Sequence, residues 1–333
     1  MPTLPKRIDF HRPLIQVARK PKGITVTVCV AAMCDSNIVI GASDRMLTAG
    51  DVEFEPQTSK IYSITNSSVV MIAGDASLQT DILQIVFKKV AQRIKDIPQE
   101  WVPISYIAGV YQDAYQEIKS TKAEARVLKP LGLTRDTFIQ RQKEMSPGLA
   151  SDLTKEIVNF DMPVIEAIVS GIDDSGAHIY VVNNNEVTCR DAVGFAAIGA
   201  GYWHANSQFM FAKHTRNRPL PETLLLTYAA KRRAEVAPGV GVGTDMFSMG
   251  PTAGTYGLVG EAIINDVDKI YKRTRARAAQ SIEKSNKEVN KYVEQLGQAA
   301  TAQEQKTSTP NPTEKVDGTG SSGEEDTTAR KPN

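Results

Sequence analysis

The run from Asn37 to Ser43, NIVIGAS, constrains the fold more than any other stretch of the chain. It is continuously apolar, and a strand with no polar face must be covered on both sides. The run before it, ITVTVCVAA, alternates instead, and the Cys34-Asp35-Ser36-Asn37 junction suits a hairpin. Alternation puts Thr25, Thr27 and Cys29 on one face of that first strand. A preference for β-branched residues in strands accounts for such threonines by itself. A nucleophile on this face is the other reading.

The segments SKIYSIT and SSVVMIAG predict a second hairpin around Asn66-Ser67-Ser68. Leu78, Ile82, Val86, Val90 and Ile94, spaced by four, then predict a helix with one apolar face, capped by Asp75 or Ser77. A second helix is expected from about Ile104 to Ser120, with Ile107, Val110, Tyr111, Ala114 and Ile118 inward. Residues 121–161 are charged and read as a helical insertion. MPVIEAIVSGIDDSGAHIYVVNNN predicts two strands around a turn, and EVTCRDAVGFAAIGAG is expected to continue their sheet. Helices at about 203–214 and 221–236, a strand TDMFSMG and a polar helix from about Gly260 to Leu296 complete the order. Strands, helix pair, strands, helix pair, strand and helix predict an α+β fold in which two sheets lie between helix layers, a four-layer αββα sandwich.

With 39 Lys and Arg against 38 Asp and Glu, no global field favours nucleic acid or an anionic membrane as partner. No apolar run is long enough to cross a bilayer, and the basic first residues have no apolar signal core, so a cytoplasmic protein is expected. Cys29, Cys34 and Cys189 form neither a disulfide framework nor a zinc pattern, and His11, His178, His204 and His214 have no ligand spacing. Neither a metal nor a cofactor is expected. The GVGVGT stretch looks like a phosphate loop but follows a helix and precedes a strand, the reverse of what phosphate binding needs. Residues 1–24 read as a leader, 25–297 as the globular domain, and 298–333, poor in apolar residues, as a disordered tail.

The segments TVCVAAMCDSNIVIGASDR, SKIYSI and VVMIAGDASLQTDIL, in this order, resemble the β-type subunits of the proteasome and their bacterial relatives. These are N-terminal nucleophile (Ntn) hydrolases. SGIDDSGAHIYVVNN and AAIGAG resemble the family's mid-chain strand pair and its Gly-Ser-Gly turn, so the resemblance spans about residues 25–250 without 121–161. It implies the αββα sandwich and a threonine exposed by leader removal, whose hydroxyl attacks an amide while its own α-amine serves as base. It further implies Lys60 as modulator of the nucleophile, Asp44 as the partner of Lys60, and Glu235 at the place of a later family aspartate. Thr27 is the preferred nucleophile, with Thr25 and Cys29 as alternatives.

The chain departs from the family in having Val26 rather than Gly before Thr27, Ala200 in the Gly-Ser-Gly turn, and Pro238 where a serine is usual. Two functions follow from the resemblance. One is a threonine peptidase or amidohydrolase acting on peptide or amide substrates. The other is a non-catalytic subunit that keeps its leader. Either implies a homo-oligomer, a ring or stacked ring.

Overall fold

A computed structural model of the chain describes residues 27–49, 52–56, 59–183 and 186–307. The expected leader, residues 1–24, lies outside the described residues, as do Thr25 and the end of the tail from residue 308. The protein is α+β, with helices and two five-stranded antiparallel sheets. The chain forms two units, residues 1–272 and 273–333.

The first sheet is built on β1 (Cys29–Cys34) and β2 (Ile38–Asp44), the expected hairpin, and every residue of both strands is buried. Alternation divides their side chains between two cores. Cys29, Ala31, Met33 and Val39 face the second sheet, whereas Val30, Ala32, Cys34, Ile38 and Ile40 face helices. Gly41 is required by close approach, because a Cβ there would overlap the Phe247 ring.

A small ribbon, β3 (Leu47–Ala49) with β4 (Val52–Phe54), leads to the second sheet. That sheet is β5 (Ile61–Thr65), β6 (Ser68–Gly74), β7 (Ile165–Asp173), β8 (Gly176–Asn183) and β9 (Glu186–Cys189), in chain order. Val69, Met71 and Ile168 point from it toward the first sheet. Val70, Ile72, Ala167 and Val169 point the other way, onto α1 (Ala76–Asp96) and α2 (Ile104–Ala123).

Asp75 caps α1 by accepting the Leu78 N–H at 2.9 Å. Leu78, Ile82, Val86 and Val90 are buried as expected, but Ile94 is 41% exposed. A spacing of four advances about 40° beyond a full turn at each step, so the fifth residue of such a series has left the face. The cap of α2 comes from a distant strand, since Asp173 Oδ2 accepts the Ile104 N–H at 2.9 Å. The expected insertion is helical, with α3 (Arg135–Arg141) and α4 (Pro147–Val158) around their own core of Val127, Leu128, Leu133, Phe138 and Leu153.

One expectation is corrected. The stretch 186–201 does not continue a single sheet: β9 closes the second sheet, whereas β10 (Phe195–Ile198) pairs with β1 at the edge of the first. The intervening turn is fastened by His178, whose Nδ1 lies 2.6 Å from Asp191 and whose Nε2 lies 3.1 Å from Asp173. Past β10, α5 (Tyr202–Phe211) and α6 (Leu220–Ala234) cover the outer face of the first sheet. The sheet is completed by β11 (Thr244–Met249) and β12 (Gly257–Leu258).

The last helix, α7, runs from Glu261 to Thr307, past the predicted end at Leu296. Ala299, Ala300, Gln303 and Glu304 favour helix despite their low hydrophobicity. Within the first unit, Tyr228 donates to Asp268 of this helix at 2.8 Å. Within the second, side chains from Arg273 to Ala299 are exposed.

His214 is buried beside Phe195 and Phe209, with Nε2 3.0 Å from the Met33 carbonyl. Burial holds its pKa below the usual 6.5, so the folded protein resists protonation that the unfolded chain accepts. Stability is therefore complete above the unfolded histidine pKa and falls as pH drops through it, by at most about 1.4 kcal/mol per pH unit. Asp75 and Asp173, whose pKa values are lowered, withdraw their stabilisation only below the carboxylate range. Urea midpoints between pH 7.5 and 5.5 should fall for the native chain and fall less for His214→Gln.

Candidate active site

Three residues from separate parts of the chain meet where the first sheet faces the second. Thr27 precedes β1 and extends it, since the Asp44 N–H donates to the Val28 carbonyl at 3.2 Å. Asp44 ends β2. Lys60 stands just before β5, at the entry to the second sheet. All three are buried. The Lys60 ammonium donates to Thr27 Oγ1 and to Asp44 Oδ1, the latter at 2.9 Å. Thr27 Oγ1 in turn donates to the Met46 carbonyl at 3.3 Å.

Asp44 is saturated with donors. Its Oδ1 also accepts the Val28 N–H at 3.1 Å, and its Oδ2 accepts those of Met46 at 3.1 Å and Gly241 at 2.9 Å. Three amides and an ammonium around one carboxylate meet the demand that a buried charge be both paired and hydrogen-bonded. The negative charge thus stays beside Lys60, and Lys60 stays beside the hydroxyl.

The backbone at Thr27 is unusual. Its φ is +126°, a region that β-branched residues rarely adopt and that costs about 1–3 kcal/mol. The Gly199-Ala200-Gly201 turn lies against it. A Cβ on Gly199, whose φ is +84°, would overlap the Thr27 carbonyl oxygen, and one on Gly201 would meet the Ala234 Cβ at 2.7 Å. Glu166 holds this turn by accepting the Gly199 N–H at 2.9 Å. A cleft of about 490 Å³ opens beside the turn, lined by Glu166, Asn183, Phe195, Ala200, Trp203 and Met210 among others.

The other sequence candidates lie elsewhere. Cys29 is fully buried between the sheets, where its thiol is 3.7 Å from the Ile72 carbonyl and burial pushes its pKa far up. A thiol so held is a poor source of thiolate. Glu235 follows α6 and contacts Lys231 at 2.7 Å and Arg232 at 3.1 Å, rather than Thr27 or Lys60. Among the described residues no cluster of His, Cys, Asp and Glu is arranged to hold a metal.

Two participants were not evident in the sequence. Gly241 lies in the glycine-rich loop after α6, where the amides of Gly241 and Gly243 donate to the carboxylates of Asp44 and Glu55. These amides bind the protein's own anions, which gives the phosphate-loop appearance of the stretch a structural cause. The second is Lys231, which lies on the inner face of α6 and is completely buried. It could have been suspected only from its phase on the helix, shared with Thr227 and Ala234. The chain matches no protein-family model, and it matches no curated protein.

Proposed function

We propose that the protein is a threonine amidohydrolase or peptidase of the N-terminal nucleophile kind, built as a four-layer αββα sandwich, with Thr27 as nucleophile. The observation that carries this reading is the buried chain from the Thr27 hydroxyl to the Lys60 ammonium and on to the Asp44 carboxylate. Removal of residues 1–26 frees the Thr27 α-amine, whose reference pKa near 8 suits a base at neutral pH. As Oγ1 attacks the carbonyl carbon of an amide, the amine takes the hydroxyl proton. Lys60 steadies the negative charge that develops on the oxygen. The tetrahedral intermediate collapses to an ester on Thr27, and the leaving amine departs with the proton held by the α-amine. Water then adds to the ester with the same amine as base, releasing the acid and restoring the hydroxyl.

The positive φ of Thr27 supports the removal step, because that angle exists only while Val26 is attached. Cleavage of the Val26–Thr27 bond abolishes the angle and its strain. Assembly into a homo-oligomeric ring belongs to the same reading.

The second reading, a non-catalytic subunit that keeps its leader, is favoured by the near-complete burial of Thr27 and by Ala200, which supplies no hydroxyl to a freed amine. Intact mass and N-terminal sequencing of the assembled protein separate the two. A chain starting at Thr27 is expected, and one starting at Met1 would sink the hydrolase. A start at Thr25 would move the nucleophile by two residues. In the processed enzyme, Thr27→Ala should keep the melting temperature and lose hydrolysis.

A further inference from the structure

Lys231 has no part in the chemistry just described, yet it is a completely buried cation behind the site. Its ammonium donates to the carbonyls of Gly241 at 3.0 Å and Val242 at 2.8 Å and to Glu235 Oε1 at 2.7 Å. All three of its protons are therefore used. The loop so gripped is the one whose Gly241 N–H binds Asp44 Oδ2, and Asp44 holds Lys60 against Thr27. The loop packs closely at Gly241. A Cβ on Gly241 would overlap Glu55 Oε1 and come within 3.0 Å of the Met46 Cβ.

We propose that Lys231 is a positioning residue: an internal cation that pins the 241–242 carbonyls, turns the Gly241 amide onto Asp44, and so sets the Lys60–Thr27 contact. The proposal rests on the reading of Thr27 as nucleophile for its effect on rate, but the pinning of the loop stands apart from it. Two carbonyls and a carboxylate around an ammonium make a site for a small cation, and α6 supplies that cation covalently. Glu235, the residue expected at a catalytic position, is here the counter-ion of Lys231. Its link to Thr27 therefore runs through Lys231, the loop and Asp44.

A lysine side chain filling space alone would be replaceable by methionine, whereas a positioning cation would be replaceable only by another cation. In the full-length, processed protein, Lys231→Met and Lys231→Ala should both lower kcat on the order of 100-fold with KM little changed, the scale expected when catalytic groups are displaced by about an ångström. Ammonium chloride should restore Lys231→Ala in a saturable manner, because the ion fits the space left by the side chain. Tetramethylammonium chloride at equal ionic strength should not, nor should ammonium restore Lys231→Met, where the space is filled. Hydrogen exchange gives a readout independent of activity. Amides of residues 240–244 and 44–46 should exchange faster in both variants, and ammonium should slow them again in Lys231→Ala.

Wild-type kcat in both variants, unchanged exchange in those segments, or equal rescue by the two salts would overturn the proposal. Should the native protein prove inactive with Met1 intact, the nucleophile reading fails, and hydrogen exchange alone decides whether Lys231 pins the loop. If Lys231→Ala does not fold, its refolding is followed in the two salts. Recovery in ammonium alone supports the cation role, and failure in both overturns it.

Discussion

Lys60→Met should remove hydrolysis almost completely while leaving a folded protein. Among the described residues the Lys60 ammonium is the one cation bonded to Thr27 Oγ1, and methionine keeps its length without its charge or protons. A positioned donor that stabilises developing charge is worth about 10²–10³ in rate. The fold should survive because Asp44 keeps the amides of Val28, Met46 and Gly241 after the lysine is gone. Single-turnover rates on an amide substrate, beside a thermal melt, make the comparison. A Lys60→Met enzyme within tenfold of wild type would remove Lys60 from the chemistry.

Asp44→Ala should behave differently, as a loss of stability before a loss of activity. Among the described residues, alanine leaves the Lys60 ammonium buried with Thr27 as its remaining partner and deprives three amides of their acceptor. Breaking a buried ion pair from one side costs about 3–5 kcal/mol. For a domain of this size that corresponds to a fall in melting temperature of roughly 6–20 °C. The double variant Asp44→Ala with Lys60→Met removes both charges and should recover part of the loss, which a double-mutant cycle in urea would measure. Single losses that simply add in the double variant would mean that Asp44 stabilises through its amides and not through Lys60.

Much of the fold was legible because it follows from local periodicity. The all-apolar run at Ile38–Ala42 requires cover on both faces, and β2 has it. The helical phase of Ile107, Val110, Tyr111, Ala114 and Ile118 put α2 on its sheet. The path of β10 was not legible. Four residues, FAAI, carry no mark of which sheet they join, and their pairing with β1 is set by contacts more than 160 residues away in the chain.

The site was readable only in part. Thr27, Asp44 and Lys60 lie within 34 residues, and the resemblance in the order of segments singled them out. Lys231 stands in AAKRRAE, which reads as a solvated basic face, and only a tertiary contact with two carbonyls makes it an interior cation. Glu235 was assigned from its place in the order of segments, and position in sequence does not say which cation a carboxylate meets.

The crossing of the chain from β9 to β10 has a consequence for how the protein matures. The first sheet cannot be finished until the second has been synthesised, because β10 and β11 flank a hairpin made long before them. Such long-range pairing makes folding slow and concentrates it in one cooperative event. The surroundings of Thr27 inherit that timing, since they require β2, the entry to β5, the turn after β10 and the loop after α6 together. A nascent chain therefore carries the threonine without these surroundings, and on the proposed reading of Thr27 as nucleophile its reactivity would appear only once the whole domain has closed around it.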